Sequence, residues 1–369
     1  PNLNGRVVTM AIQSDQKVII GGTFTTITGE PRNYIARLNP SGTIDSEFNP
    51  SVDGPVGVVL LQPDNRILVG GTFNNVAPAR SGTSTPRSNL LRLNADGSLD
   101  TAFDPSPNGG VSTIALQSDN KILIGGQFST IAPGAGATPS TTQTGRSFVA
   151  RLNADGTLDT AHSVNVNSRV SAIVVQSDGK AIVAGTFTAV QGTGATSPTV
   201  RNRIARFNAD GSLDTAYNPN ANGNVLALAL QGDGRLLLGG TFTTLQPNDA
   251  ADWTLRKYAA RLNTDGTVDP TFNLDINEAL GNRVDSLRIH ANGQVYIGGN
   301  FISLHQINTP ARITRPTFVR LNANGSVDAA FDPTAGGATG AIVNGIAIQP
   351  DNRIIAVGNF ADLGGAKST

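Results

Sequence analysis

Cysteine is absent from this chain of 369 residues, and histidine and glutamate occur only three times each. The absence of cysteine excludes disulfides, thiolate metal sites and cysteine nucleophiles together. The three histidines are scattered along the chain, so a Ser-His-Asp triad or a histidine-rich metal site is not predicted. We therefore expect no metal, no cofactor and no nucleophilic enzyme site.

Charged residues and long apolar runs are also scarce. Only 15% of residues are charged, and the 27 basic residues balance the 27 acidic ones, so no global field favours nucleic acid or an anionic membrane as a partner. No apolar run approaches the ~20 residues of a membrane span, and membrane insertion is not expected. The 42 glycines, with abundant Asn, Thr and Ser, suit a turn-rich all-β surface or secreted protein.

What the chain does contain is one short stretch that returns seven times. Its first copy is Lys-Val-Ile-Ile-Gly-Gly-Thr-Phe at 17–24, and the final phenylalanines of successive copies are 49 to 59 residues apart. A period of this size, with several strand-like runs in each unit, predicts a repeat architecture within a single domain at 1–369. The seven phenylalanines are Phe24, Phe73, Phe128, Phe187, Phe242, Phe301 and Phe360. The predicted units are approximately 1–50, 51–107, 108–164, 165–219, 220–276, 277–335 and a half unit at 336–369.

Each full unit carries four strand signals, which we name a to d. Strand a is a run rich in β-branched and small residues, such as 7–12, and a tight turn joins it to strand b, the repeated stretch. Strand b does not alternate with polar residues, which indicates that both of its faces are covered. Its glycine pair removes two side chains and would let a neighbouring strand or ring approach closely. Strands c and d, such as 34–39 and 99–103, flank Asp-Gly turns.

Four strands per ~50 residues, joined by tight hairpins, predict an all-β fold made of four-stranded antiparallel β-propeller blades. A β-solenoid is the competing architecture, but its rungs are usually shorter and lack this pair of hairpins. There are seven a/b hairpins and six c/d hairpins, so we predict a seven-bladed ring whose last blade is incomplete in this chain and is closed by strands from both ends. The chain starts in mid-repeat, which indicates a part of something longer.

The combined pattern of Gly-Gly, Ala-Arg-Leu-Asn, Asp-Gly-Ser-Leu-Asp and Phe-Asp-Pro resembles the delta-sixty repeat, a bacterial β-propeller family of large surface or secreted proteins. The Gly-Gly element also resembles kelch blades. The resemblance covers essentially the whole chain and implies a propeller in an extracellular or bacterial cell-surface setting. It implies no particular chemistry.

Residues present in every unit are predicted to serve the fold, whereas a binding site should break the symmetry. An arginine recurs in each strand c and an aspartate eight residues later, as at Arg92 and Asp100, and both sets are interpreted as structural. A three-residue turn would allow them to pair and a two-residue turn would place them on opposite faces. The turns resemble calcium loops but fail the EF-hand pattern, and Asp-Gly hairpin chemistry explains them without metal.

A second arginine lies five residues before the first in all six units. One interpretation is that each arginine fixes its b/c loop by binding carbonyl or carboxylate oxygens. The other is an anion-binding ring, because guanidinium groups match carboxylate, sulfate and phosphate geometry. The candidate ring, which we name the loop arginines, is Arg32, Arg87, Arg146, Arg201, Arg256 and Arg315.

In a propeller the b/c and d/a loops lie on one face, and here they vary in length. The fifth b/c loop contains the only tryptophan, Trp253, beside Arg256, Lys257 and Tyr258, which are candidates for binding a sugar ring or a partner protein. The alternative is a tryptophan that packs its own loop. His162 occupies the position of an aromatic residue in the other units, so we interpret it as a substituted packing ring.

We therefore predict a non-catalytic binding or scaffolding propeller that engages a protein or glycan through its b/c and d/a loops. One alternative is a purely structural spacer in a longer surface protein. Another is a glycoside-active enzyme, because loops can supply paired carboxylates. The candidate carboxylates for that alternative are Asp275 and Glu278, with Asp53, Asp104 or Asp332.

Overall fold

Strands a and b form an antiparallel pair in all seven units, as the apolar runs and tight turns predict. The computed structural model describes residues 2–79, 81, 83–134, 142–277, 282–306, 312–333 and 341–360, and the backbone of 362–363 and 366–367. Strands a are Val7–Ile12, Val56–Leu61, Val111–Leu116, Val170–Val175, Val225–Leu230, Arg283–Ile289 and Ile342–Ile348. Strands b are Val18–Gly22, Ile67–Gly71, Ile122–Gly126, Ala181–Gly185, Leu236–Gly240, Val295–Asn300 and Ile354–Asn359.

The glycine pair at the end of strand b permits two close contacts, as predicted. A β-carbon on Gly21 would lie 2.5 Å from Cγ1 of Val56, on strand a of the next unit. A β-carbon on Gly22 would lie 2.0 Å from the carbonyl oxygen of Arg6, on the chain entering strand a of its own unit. Both distances are shorter than a van der Waals contact, so a side chain at Gly21 would displace Val56 and one at Gly22 would force the backbone at Arg6 away.

Strand c pairs with the other edge of strand b in units 1 to 6, which gives six three-stranded sheets among the described residues. Strand d is shorter than predicted, because it consists of a single β-bridge such as Leu38 to Ile44. Directly after this bridge, Asp45 accepts a backbone hydrogen bond from Phe48 at 3.3 Å, and the resulting turn ends the pairing. Strands c are Ile35–Leu38, Leu90–Leu93, Val149–Leu152, Ile204–Phe207, Ala259–Leu262 and Phe318–Leu321.

The apolar core lies between consecutive units. One cluster, for example, joins Ile19 and Ile35 of unit 1 to Val56, Ile67 and Val69 of unit 2, and all five are buried. The strands a contact one another in chain order, and strand a of unit 7 also contacts strand a of unit 1. Burial on both sides explains why strand b is apolar without alternation in units 1 to 5.

The b/c and d/a loops lie on the same face, as predicted, because they pair with each other. The d/a strands Ser51–Val52, Asn165–Val166 and Leu274–Asn277 each add to a b/c hairpin, and Leu3, Pro107 and Ala221 form single bridges at the equivalent position. The b/c hairpins are Thr26–Ile27 with Glu30–Pro31, Asn75–Ala77 with Thr85–Pro86, Thr130–Ile131 with Thr144–Gly145, Ala189–Gln191 with Thr199–Val200, Thr244–Leu245 with Thr254–Leu255, Ser303–Gln306 with Ile313–Thr314, and Asp362–Leu363 with Ala366–Lys367. One 3-10 turn, Pro247–Asp249, lies in the fifth b/c loop.

Unit 7 is a two-stranded sheet in the described part of the chain, because no strand c lies beside Ile354–Asn359. The described residues thus contain seven a/b pairs and six c strands, which matches the count made from the sequence. The number of blades in the complete ring, its closure by strands from both ends and the division into a single domain stay predictions.

Candidate functional site

The loop arginines are drawn inward beneath the b/c hairpins. In all six, Nη1 donates to the carbonyl oxygen of the preceding residue, at 2.6 to 2.9 Å. Three of them also donate from Nη2 to the end of the same unit: Arg87 to Thr101 at 2.9 Å, Arg146 to Thr160 at 3.3 Å and Arg201 to Thr215 at 2.9 Å. Each of these three therefore ties its b/c loop to the chain that follows strand d.

Burial of the loop arginines limits their access to a ligand. The first five are 1 to 8% exposed, and burial lowers the pKa of Arg146, Arg201 and Arg256. Arg315 is more exposed and forms an ion pair with Asp332 at 3.1 Å. This geometry favours the interpretation in which the arginines fix their loops, because an anion from solvent cannot reach most of the guanidinium groups. Anion binding by the ring stays a prediction.

The arginines of strand c lie elsewhere, beside the aspartates of strand d. All six pairs have N to O distances of 2.7 to 2.9 Å. The Asn39 amide donates to the Thr43 carbonyl at 2.8 Å, so the turn closes over three residues and Arg37 and Asp45 are direct cross-strand neighbours. Their structural interpretation agrees with this geometry, and the pairing was one of the two alternatives left open by the sequence.

A second cation shares the same aspartate in five units, which the sequence analysis did not detect. It is the residue directly before strand b, as in Lys17 with Asp45 at 2.9 Å and Arg235 with Asp269 at 2.9 Å. Burial alone would raise the pKa of Asp269, but hydrogen bonds from Thr271 and Arg261 outweigh it and lower the pKa to about 2. The signal in the sequence is a Lys or Arg that recurs two residues after the turn aspartate. The five cations are Lys17, Arg66, Lys121, Lys180 and Arg235.

The four candidates in the fifth b/c loop have different surroundings. Trp253 is 48% exposed, so its ring is available to a partner. Arg256 is buried, and Lys257 forms an ion pair with Asp275 at 3.3 Å. Tyr258 is partly buried against the hydrophobic cluster shared by units 5 and 6. Trp253 is therefore exposed on the surface, whereas the other three side chains make contacts that stabilise the fold.

Exposed hydrophobic side chains extend from Trp253 along the b/c loops of units 4 to 6. Val200 is 68% exposed, Leu255 54% and Ile302 45%. Two of these residues can be found from their position in the repeat, because Val200 and Leu255 directly precede a loop arginine. The residue at that position is exposed in all six units. Proline, glycine or threonine occupies that position in units 1, 2, 3 and 6, whereas Val200 and Leu255 occupy it in units 4 and 5. We name Val200, Trp253, Leu255 and Ile302 the apolar loop patch.

Units 4 and 5 are joined directly at this face. The amide of Asn218, after strand d of unit 4, donates to the side-chain oxygen of Asn248 at 2.9 Å, and its side chain donates to Asp249 at 3.1 Å. The Asp249 carboxylate also partly offsets the burial that lowers the pKa of Arg201. The loop that carries Trp253 is therefore held to the chain that follows strand d of unit 4 by specific polar contacts.

The carboxylates considered for glycoside chemistry each have a local partner where they are described. Asp53 accepts from the amides of Asn74 and Asn75 at 2.7 and 3.0 Å, and Asp104 accepts from the Ser106 hydroxyl at 2.7 Å. Asp275 and Asp332 form the ion pairs given above. Glu278 lies outside the described residues. No pair among them is assigned as an acid and a base.

Metal-ion clusters and membrane-spanning helices are not found within the described ranges. These ranges contain no group of three or more His, Cys, Asp or Glu that could hold a metal ion. In the Asp-Gly turns the first aspartate is used locally, since Asp96 accepts from the amide and hydroxyl of Ser98 at 2.9 and 2.7 Å. None of the described helical segments has the length and hydropathy to cross a bilayer.

Comparison with known proteins gives one family and a set of similar folds. The family described as "Domain of unknown function (DUF5122) beta-propeller" matches at residues 13–48, 62–103, 117–161, 176–217, 231–272 and 290–331. No curated protein matches the sequence.

Among solved structures, the chain is similar to the WD40 β-propeller domain of Doa1, at 14% identity and a TM-score of 0.54, with 98% of this chain and 92% of that one covered. It is also similar to the computationally designed Ika8 protein, at 11% identity and a TM-score of 0.54, with 98% and 96% covered. A streptogramin B lyase structure matches at 16% identity and a TM-score of 0.52, with 97% and 94% covered. At these identities the likeness shows the fold alone.

Proposed function

Because the chain belongs to the β-propeller family described as a domain of unknown function (DUF5122), we propose that it is a non-catalytic binding module that holds a protein partner on its b/c loops. The supporting observation is the position of its exposed apolar side chains. Of the five large exposed hydrophobic residues in the described chain, four form the apolar loop patch and only Val8 lies elsewhere. Exposed apolar side chains concentrated on one set of loops are typical of an interaction site.

The rigidity of these loops supports binding. Arg201 and Arg256, buried beneath the loops of units 4 and 5, donate to the carbonyl oxygens of Val200 and Leu255 at 2.9 and 2.7 Å. The two patch residues are thereby held outward before any partner arrives. A surface ordered in advance loses less conformational entropy on binding, which favours affinity.

A protein is favoured over a glycan as the partner by the chemistry of the patch. Val200, Leu255 and Ile302 are aliphatic, and aliphatic side chains exposed on the same set of loops as a tryptophan resemble the apolar composition of a protein interface. A glycan would stack on Trp253 and would need hydrogen-bond donors around it. The resemblance to the delta-sixty repeat adds an extracellular or bacterial cell-surface setting to the proposal. A structural spacer and a glycoside-active enzyme stay as alternatives.

The test is a screen of the purified chain against surface and secreted proteins and a glycan array. A variant with Val200→Ser, Trp253→Ser and Leu255→Ser should bind its protein partner at least about tenfold more weakly, since one or two central apolar anchors lost from an interface cost at least ~1.4 kcal/mol. Val8→Ser, which changes the exposed hydrophobic residue outside the patch, is the matched control and should bind normally.

Three results would contradict the proposal. One is a partner whose affinity is unchanged by the triple variant, and another is an exclusive response to glycans that depends on Trp253. The third is glycoside hydrolysis that Asp275→Asn abolishes, which would favour the enzymatic alternative.

A further inference from the structure

The seven strands a form the inner edge of the described sheets. Each pairs with strand b of its own unit along one edge and also contacts the strands a of the neighbouring units. Because strand a of unit 7 contacts strand a of unit 1 as well, the seven strands surround a common space, which we name the axial channel. Side chains that these strands expose can be reached by a ligand in the channel.

Charged residues occur in only one of these seven strands. The strands of units 1 to 5 and 7 consist of apolar, small or uncharged polar residues, such as Val-Gly-Val-Val-Leu-Leu in unit 2 and Val-Leu-Ala-Leu-Ala-Leu in unit 5. Strand a of unit 6 contains Arg283, Asp285 and Arg288. Arg283 and Asp285 form an ion pair at 2.8 Å, so these two charges compensate each other. Arg288 is the charge that remains.

Arg288 occupies a position that is apolar in every other unit. It lies opposite Tyr296, the second residue of strand b, and the same register places an alanine, a leucine or a valine opposite the second residue of strand b elsewhere. These apolar residues are half-buried or buried, whereas Arg288 is exposed. They are Ala11, Leu60, Ala115, Val174, Ala229 and Ala347.

The guanidinium of Arg288 has a single partner in the described chain. Nη1 donates to the carbonyl oxygen of Leu287 at 2.8 Å, and no described atom accepts from Nε or Nη2. Although the side chain is exposed, the surrounding protein lowers the pKa of Arg288 by burial, and no described carboxylate raises it. The loop arginines differ, since an aspartate partly offsets the effect of burial on the pKa of Arg146, Arg201 and Arg256. An accessible charge without a counterion, at a level that is otherwise apolar, is typical of a binding site.

We propose that the axial channel binds a monoanionic organic carboxylate with an apolar body, and that Arg288 holds the carboxylate. The N–H groups of Nε and Nη2 are parallel, which matches the two oxygens of one carboxylate. A single guanidinium balances a single negative charge, which favours a carboxylate over a phosphate dianion. Ala229 and Ala347 lie at the same level on the two neighbouring strands, and their small side chains leave space beside the guanidinium. The body of the ligand contacts the apolar side chains at this level and gains free energy by leaving water.

This site is separate from the apolar loop patch. Arg288 lies on a strand a, whereas the patch lies on the b/c loops. The two proposals therefore stand or fall independently.

The test titrates hexanoate into the full chain at pH 7 and measures binding by isothermal titration calorimetry. Hexanoate is a monoanion with an aliphatic body, and we expect saturable binding at one site per chain. Hexanamide lacks the charge and inorganic phosphate lacks the apolar body, so each should bind at least about tenfold more weakly. The tripeptide Ala-Leu-Val, with a free or an amidated C-terminus, distinguishes a small acid from a peptide terminus as the source of the carboxylate.

Two variants identify the site. Arg288→Ala introduces the residue that four other units have at this position, so it should fold. It should bind hexanoate at least about tenfold more weakly, which corresponds to the ~1.4 kcal/mol or more expected of a charge-assisted hydrogen bond. Arg283→Gln, at the arginine paired with Asp285 in the same strand, is the matched control and should bind normally. Without ligand, Arg288→Ala should melt at the temperature of the wild type or higher, because it removes an uncompensated charge.

Four results would overturn the proposal. One is the absence of saturable binding by both hexanoate and the free-acid tripeptide. Another is binding of hexanamide or phosphate as tight as that of hexanoate. The third is hexanoate binding that Arg288→Ala leaves unchanged. The fourth is a lower melting temperature of unliganded Arg288→Ala, which would show that the arginine serves the fold through its bond to Leu287.

Discussion

His162 should make the stability of this protein depend on pH between neutrality and pH 4. The side chain is 4% exposed, and burial first, then the nearby Arg151 charge, lower its pKa from 6.5 to about 4. Below pH 6.5 the unfolded chain therefore binds a proton that the folded protein excludes, so stability falls as pH falls through this window. With 1.36 kcal/mol per pKa unit, the loss is about 2 kcal/mol at pH 5 and about 3 kcal/mol at pH 4.

The assay is urea unfolding followed by circular dichroism at pH 7 and pH 5, for the wild type and His162→Phe. Phenylalanine occupies the same position in four other units, at Phe48, Phe103, Phe272 and Phe331, so it should fit beside Arg151 as these rings do beside their arginines. The variant should lose about 2 kcal/mol less than the wild type on going to pH 5. Phe103→His should add a comparable loss at unit 2. Parallel losses in the wild type and His162→Phe would refute the reasoning.

Two further predictions use pairs of residues that differ in burial or in the space around them. Asp269→Ala should destabilise the protein by about 3–5 kcal/mol, because it leaves the buried Arg261 without its carboxylate. Asp233→Ala, which removes an exposed ion pair with Arg235, should cost less than about 1 kcal/mol. Equal urea midpoints for the two variants would contradict this. Gly22→Ala should lower the melting temperature strongly, because its β-carbon would lie 2.0 Å from a carbonyl oxygen, whereas Gly145→Ala, with nothing within 4 Å, should change it little. Similar melting temperatures would show that the strand can shift to admit the methyl group.

The all-β repeat could be predicted from the sequence because every unit carries the same strand and turn pattern. The glycine pair, the apolar strand b and the recurring Arg92 and Asp100 type of pair all lie in the predicted places. The register of that pair could not be read from the sequence, because an Asp-Gly sequence is compatible with both a two-residue and a three-residue hairpin turn. Strand d is also shorter than predicted, because the carbonyl oxygen of its aspartate accepts a hydrogen bond from the amide three residues later, and this bond closes a turn.

The candidate site was less predictable, because the same residue type serves different purposes according to burial. The loop arginines look alike in sequence as ligands and as loop supports, and only their hydrogen bonds to backbone carbonyls distinguish the two. Trp253 was found because it is unique, whereas Val200 and Leu255 are ordinary residues whose exposure depends on the hairpin that holds them. Comparison of the units would have indicated their exposure, because both directly precede a loop arginine and the residue at that position is exposed in every unit that has one.

In units 1 to 5, Nη1 of the strand c arginine donates to a carbonyl oxygen in the c/d turn of the next unit. Each unit is completed by its successor, so stability is distributed over interfaces between neighbours rather than stored within units. Four of these five bonds are 2.6 to 2.7 Å long, whereas that from Arg261 to Ala323, between units 5 and 6, is 3.4 Å. Among the five junctions that have this bond, the one between units 5 and 6 has the longest. Because strand a of unit 7 also contacts strand a of unit 1, opening of that junction alone would leave units 6 and 7 held at their other end.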